Sequence, residues 1–174
     1  MLIGKNVTLR AIEPEDLESL RIWRNQPKLR QFFREFTEIS KTEQLKWYET
    51  VVLSKKNTLM FAIVNKDSNT LLGACGLCYI DWLRKSADLS IYIGHEAIYL
   101  DKIYATDAAR LLIEYGFKEI GLHRIWVEVY GHDVQKQDFF QSLGFHQEGN
   151  FKDAHWTDGK WVNSIFYGML THLK

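Results

Sequence analysis

The chain has 174 residues, 46% of them hydrophobic and 14% aromatic, which is enough for one buried core and too few for two ordinary domains; residues 1–174 therefore read as one domain. Twenty-two basic residues offset twenty-two acidic ones, which argues against the global positive field that draws proteins onto nucleic acid or anionic lipid. No run reaches membrane-spanning length, and Met1-Leu2-Ile3-Gly4-Lys5-Asn6 lacks the apolar stretch of a signal peptide, so a soluble cytoplasmic protein is expected, with no membrane or nucleic-acid partner.

Val7 to Ala11 alternates like a strand. Pro14 then suits a first helical turn, with Leu17, Leu20, Arg21 and Trp23 behind it at helical spacing, and Pro27 predicts an end near Asn25. Ser40-Lys41-Thr42-Glu43 is a capping box, and Leu45, Tyr48 and Val52 continue a second helix to about Leu53. Antiparallel strands follow over Leu59 to Asn65, Thr70 to Asp81 and Ala87 to Ile93, the first two joined by the Lys66-Asp67-Ser68-Asn69 turn. Tyr104 to Glu119 is the clearest helix, with Ala105, Ala108, Ala109, Leu112 and Ile113 on its apolar face. A strand over Arg124 to Tyr130, a short helix from Val134 to Leu143 stopped by Gly144, and strands His146 to Asp153 and Lys160 to Leu170 around Thr157-Asp158-Gly159 complete the chain. The sum is a mixed α/β (α+β) layer protein.

Cys75 and Cys78 have C-x-x-C spacing, yet they lie in the apolar run Leu71 to Ile80, where residues three apart point to opposite faces of a strand. Two structural thiols are expected rather than a redox or zinc pair, since no second Cys/His pair stands at zinc spacing. His123, beside Arg124 at a helix-to-strand corner, reads as a cap or core hydrogen-bonding residue, and His95, His132, His146 and His155 mark no metal site.

The element order β-α-α-β-β-β-α-β-α-β-β accompanies several phrases: Val7-Thr8-Leu9-Arg10, Trp23-Arg24-Asn25, Tyr104-Ala105-Thr106-Asp107-Ala108-Ala109-Arg110, Gly121-Leu122-His123-Arg124-Ile125, Leu143-Gly144-Phe145 and Glu148-Gly149. Together they resemble the GNAT acetyltransferases over essentially the whole chain, in particular the branch of ribosomal-protein N-terminal and amino-sugar acetyltransferases. The resemblance implies a mostly antiparallel sheet of six to seven strands flanked by about four helices, with acetyl-CoA as cosubstrate.

It also implies site residues. The pyrophosphate seat falls on Leu100-Asp101-Lys102-Ile103-Tyr104-Ala105-Thr106, where a helix N-terminus offers backbone N–H groups. Leu100 and Ile103 stand where relatives carry Arg or Gln and Gly, so that loop departs from the family pattern, Asp101 adds repulsion and Lys102 restores a charge. Main-chain groups of Ile91, Tyr92 and Ile93 would pair with the pantetheine arm, one amide stabilising the oxyanion. Asp133, Lys136 and Phe140 correspond to family positions often held by Asn, Ser and a Tyr that protonates the departing sulfur; Phe140 has no proton to give, which leaves Tyr79, Tyr92 or Tyr130 as substitutes. Asp88 and Glu128 are the candidate bases, each also readable as a strand-edge charge or half of an ion pair. The acceptor would meet Arg24, Asn25, Arg30, Phe32, Phe33 and Arg34 on one side and His155, Trp156 and Trp161 on the other, a basic and aromatic set suited to a phosphorylated or nucleotide-linked amine. Acetyl transfer to an amino sugar or peptide amine, by a monomer or homodimer, is one expectation. A non-catalytic acyl-CoA-binding sensor or scaffold of the same fold is the other.

Overall fold

The computed structural model describes residues 1–35 and 37–171. Its strands are β1 (Leu2–Ile3), β2 (Val7–Arg10), β3 (Leu59–Asn65), β4 (Leu71–Asp81), β5 (Ser86–Ile93), β6 (Arg124–Tyr130), β7 (His146–Thr157) and β8 (Lys160–Leu170). The helices are α1 (Leu17–Asn25), α2 (Pro27–Arg30), α3 (Lys41–Trp47), α4 (Tyr104–Lys118) and α5 (Val134–Ser142). The strands form one open sheet in the order β1-β2-β3-β4-β5-β6-β8-β7, antiparallel throughout except where β5 meets β6.

The mixed α/β class and the order of elements stand as expected, and the eight strands exceed the expected six to seven because β1 is a two-residue edge strand too short to show alternation. α2 is a further addition: Pro27 ends α1 and then occupies the first turn of a new helix, where its missing N–H costs nothing. The predicted second helix splits, its α-helical part ending at Trp47 and a wider π-type turn running over Tyr48–Val52. The Ser40 capping box forms as expected, Ser40 Oγ accepting from the Glu43 N–H at 3.2 Å and Glu43 accepting from the Ser40 N–H at 2.7 Å.

The core is continuous beneath α4. Leu9, Ile63, Leu77, Leu89, Leu112 and Ile125 are fully buried, and Gly116 lets α4 close on Leu77 and Ile125. Phe140 belongs to this core, with no exposed surface and edge-to-face contacts to Phe139 at 5.2 Å and Phe145 at 5.2 Å. Phe140→Ala is expected to lower unfolding free energy by about 3–5 kcal/mol, read as a shift in denaturant midpoint.

A partly buried ion pair fixes the entry to α1. Arg10 donates to both carboxylate oxygens of Asp16, at 2.6 and 2.9 Å, and Asp16 also accepts the Glu13 N–H at 2.9 Å. Burial pushes the Asp16 pKa up, but the Arg10 hydrogen bond and the Glu13 amide outweigh it and hold the carboxyl below its ordinary value. A depressed folded pKa contributes stability that is present above the unfolded value, about 3.9, and lost as pH falls through the folded one. Denaturation curves measured downward from pH about 5 should therefore show a steeper acid loss for wild type than for Asp16→Asn, which lacks that titration.

Candidate active site

The site begins with a defect in the sheet. β5 and β6 run parallel and are paired only through Ser86 with Arg124, Ala87 with Ile125 and Asp88 with Trp126; beyond Asp88, β5 stays with β4 and β6 stays with β8. The two strands diverge, and a cleft of about 410 Å³ opens between them, with Ser90 and Tyr92 on one wall and Glu128, Val129 and Tyr130 on the other. Alternation along β5 turns the Ile91 amide to the same edge as that of Ile93, toward the gap. The Ile93 N–H is already spent on the Tyr99 carbonyl at 2.8 Å, which leaves Ile91 as the better placed of the two predicted amides.

At the closed end of the cleft, charges converge from distant parts of the chain. Arg34, in the segment after α2, reaches Asp88 on β5 at 3.1 Å and Glu128 on β6 at 3.2 Å, with its guanidinium carbon 5.5 Å from the centre of the Tyr79 ring. Burial disfavours the Arg34 charge, yet Asp88 and Glu128 overcome this and raise its pKa. Asp88, 4% exposed, has its carboxyl raised by burial, with Arg34 and Lys136 pulling the other way. Glu128 is also pushed up by burial, but hydrogen bonds from Ser164 and His155 and the charge of Arg34 leave it below its ordinary value. The His155 Nε2 lies 2.8 Å from Glu128 Oε1, and Ser164 Oγ donates to the same oxygen. A bulge in β7 between Phe151 and His155, with Asp153 at a positive φ of 48°, aims His155 at β6.

The second cluster lies at the start of α5. Asp133 caps that helix by accepting the Lys136 N–H at 3.0 Å and takes a hydrogen bond from the Tyr99 hydroxyl at 2.9 Å. The half-buried Lys136 ammonium sits 5.9 Å from the centre of the Tyr99 ring. Burial lowers its pKa against the pull of Asp133 and Asp88.

A GNAT acetyltransferase domain model matches residues 6–146. The chain belongs to the GNAT family. An uncharacterized N-acetyltransferase p20 of Bacillus licheniformis is 25% identical over 97% of this chain and 95% of its own length. A spermidine N(1)-acetyltransferase of Escherichia coli (strain K12) is 26% identical over 96% of this chain and 87% of its own. In structure, spermidine N-acetyltransferase from Vibrio cholerae, solved with CoA and spermine, superposes with a TM-score of 0.87 at 22% identity over 95% of both chains, a likeness of fold. The chain is thus an acetyltransferase of the acetyl-CoA-dependent GNAT type.

Coenzyme A fits this GNAT site in part. The gap beside Ile91 suits an extended thioester arm, as β5 and β6 are unpaired beyond Asp88 and a cleft opens there. At the loop expected to seat the pyrophosphate, Asp101 folds back over the start of α4, its carboxylate accepting from the amides of Ile103 at 3.1 Å, Tyr104 at 2.9 Å and Ala105 at 2.6 Å. The expectation of simple repulsion at Asp101 gives way to occupation of the amides. The absence of glycine at Ile103 is harmless in this conformation, since its φ is −108° and the side chain is 57% exposed. Lys102 is exposed, Leu100 is buried with its carbonyl accepting from Gln135 at 2.8 Å, the Tyr104 hydroxyl accepts from Asn65, and Thr106 is half-buried in the first turn of α4.

Other expected site residues are redistributed. Phe33 lines the cleft and meets Tyr92 edge-on at 5.2 Å. Arg24 lines it too, ion-paired to Glu35. Asn25 instead clamps the returning chain, exchanging hydrogen bonds of 2.8 Å with the amide and carbonyl of Ile39. Trp156, 62% exposed, packs on Trp161 at the tip of the β7–β8 hairpin rather than in the cleft, and Phe140 is withdrawn into the core. Cys75 is buried as expected, with its pKa driven up by burial. Cys78 is only half-buried and lines the cleft, its thiol pushed up to about 12 mainly by burial and so a poor nucleophile. His123 is exposed, and its backbone makes the local bonds, to Lys85 and Thr171. Among the described residues no cluster of metal-ligating side chains forms.

The pairing of Arg34 with Asp88 and Glu128, and the bond from His155 to Glu128, escaped sequence reasoning because their partners are separated by 54, 94 and 27 positions, beyond any local spacing.

Proposed function

We propose that this protein is a cytoplasmic N-acetyltransferase that transfers acetyl from acetyl-CoA to the primary amine of a small cationic acceptor by direct attack in a ternary complex. The observation that carries this reading is the carboxylate pair Asp88 and Glu128 at the closed end of the β5–β6 cleft, bridged by the chain's own guanidinium. An alkylammonium is the ligand chemistry such a pair recognises, and Arg34 occupies its place until one arrives. Two of the three arginines that suggested a phosphorylated acceptor are neutralised within the chain, Arg24 by Glu35 and Arg34 by the two acids, which weakens the support for an anionic substrate.

In this reading Asp88 holds the incoming ammonium and Glu128, backed by His155, takes the proton the amine must lose. Tyr130, whose ring stands 4.6 Å from that of His155, walls the acceptor channel. The Ile91 amide faces the thioester oxygen and stabilises its developing charge.

The test is thiol release from acetyl-CoA against spermidine, spermine, nucleotide-linked amino sugars and an N-terminal peptide amine. Turnover with the polyamines supports the reading. Turnover confined to the anionic nucleotide-linked sugars overturns the acceptor class, and coenzyme A binding without release for any amine indicates an acyl-CoA sensor instead.

A further inference from the structure

Acetyl transfer from a thioester has two proton problems, one at the amine and one at the departing sulfur, and the carboxylates address only the first. A group that serves the sulfur must face the cleft, carry positive charge or a transferable proton, and be free of other commitments. The cations lining the cleft are Arg24, Arg34 and Lys136. Arg24 is bound to Glu35, and Arg34 to Asp88 and Glu128. Among the described residues the Lys136 ammonium makes no ion pair within 4.0 Å.

The phenols are less suited. The Tyr99 hydroxyl is committed to Asp133, burial pushes the Tyr92 and Tyr130 pKa values upward, away from easy proton release, and the exposed Tyr79 has its ring against the Arg34 guanidinium at 5.5 Å. Phe140, one turn after Lys136 on the same face of α5, has no polar atom in its side chain. We propose that Lys136 is the catalytic residue that stabilises the coenzyme A sulfur as a thiolate while it leaves.

The step balances. The amine nitrogen forms its bond to the acetyl carbon, the carbon–sulfur bond breaks, and the sulfur keeps the electron pair as a thiolate beside the Lys136 ammonium, to be protonated by solvent on release. The surplus amine proton goes to Glu128. The groups facing the ammonium are Asp133 at the start of α5, Asp88 on β5, Glu128 on β6 and Arg34 from the α2–α3 segment, with the Tyr99 ring beside it. Burial works against the ammonium, while the nearby acids help keep it charged and able to attract a thiolate.

This inference rests on the proposed acetyl transfer, and a binding measurement separates the two. Coenzyme A and desulfo-coenzyme A are bound to wild type and to Lys136→Met, a near-isosteric change, and the thiolate absorbance of the complexes is compared as pH rises toward about 8.5, the free-thiol range. Wild type should show thiolate with coenzyme A well below that range, and Lys136→Met should bind coenzyme A without the signal. Turnover of acetyl-CoA by Lys136→Met should fall about 10²-fold, and far less with an acetyl arylthioester whose thiol leaves unaided. Lys136→Arg should keep the thiolate signal and much of the turnover, because a guanidinium holds a positive charge at the same place. No coenzyme A binding by wild type would overturn the acetyl-transfer reading itself. Binding with the same thiolate signal in wild type and Lys136→Met, or an equal rate loss with both donors, would overturn the role of Lys136.

Discussion

Asp101→Ala is expected to bind coenzyme A roughly tenfold more tightly than wild type, although it removes a favourable helix cap. Three backbone amides at the start of α4 are engaged by the Asp101 carboxylate, and a pyrophosphate seated there must first displace it. The wild-type affinity is thus a difference between two anions competing for the same donors, and deleting the internal one leaves the amides free for the ligand. S-acetylpantetheine, which lacks the pyrophosphate, should bind both forms alike. Calorimetry with the two ligands checks this, and a coenzyme A affinity unchanged or weakened in Asp101→Ala would place the pyrophosphate elsewhere. The same variant should unfold more readily by about 1 kcal/mol, so a gain in affinity would come despite a loss in stability.

Glu128→Gln should reduce turnover by about 10²-fold or more while leaving coenzyme A affinity unchanged. Glutamine keeps the shape and can still accept from Ser164, but it cannot take a proton from the attacking amine. Arg34 would remain anchored by Asp88, so the closed end of the cleft is preserved. The informative readout is the split between kcat and the coenzyme A dissociation constant. A parallel loss in both would identify Glu128 as a strut of the cleft and not its base.

Much of the architecture was legible because the periodic signals are strong where elements are long or well capped. β6 runs over Arg124–Tyr130, as its alternation predicts, and α4 starts at Tyr104, as its apolar face predicts. β1 and α2 were illegible for different reasons: two residues carry no period, and Pro27 serves as stop and start at once. The site divides in the same way. Asp88, Glu128 and Lys136 were within reach because the family resemblance assigns their strands and helix to the border of a cleft, and all three line the cleft that forms. Their partners were not, since Arg34 comes from an aperiodic segment and His155 is delivered by a bulge. Asp101 was recognised as an acidic intruder in the loop; only the backbone path shows it turned inward to cap the helix that follows.

The brief contact between β5 and β6 has a mechanical side. Through the backbone ladder, strands β1 to β5 and strands β6 to β8 meet at three residue pairs only, so the sheet is two half-sheets stitched along a short seam. A donor lying in the open part of that seam would supply the missing rungs and join the halves along their length. Amide exchange in β6 and in the far end of β5 should then slow together once the donor binds, with the enzyme stiffest at the moment its two substrates are side by side.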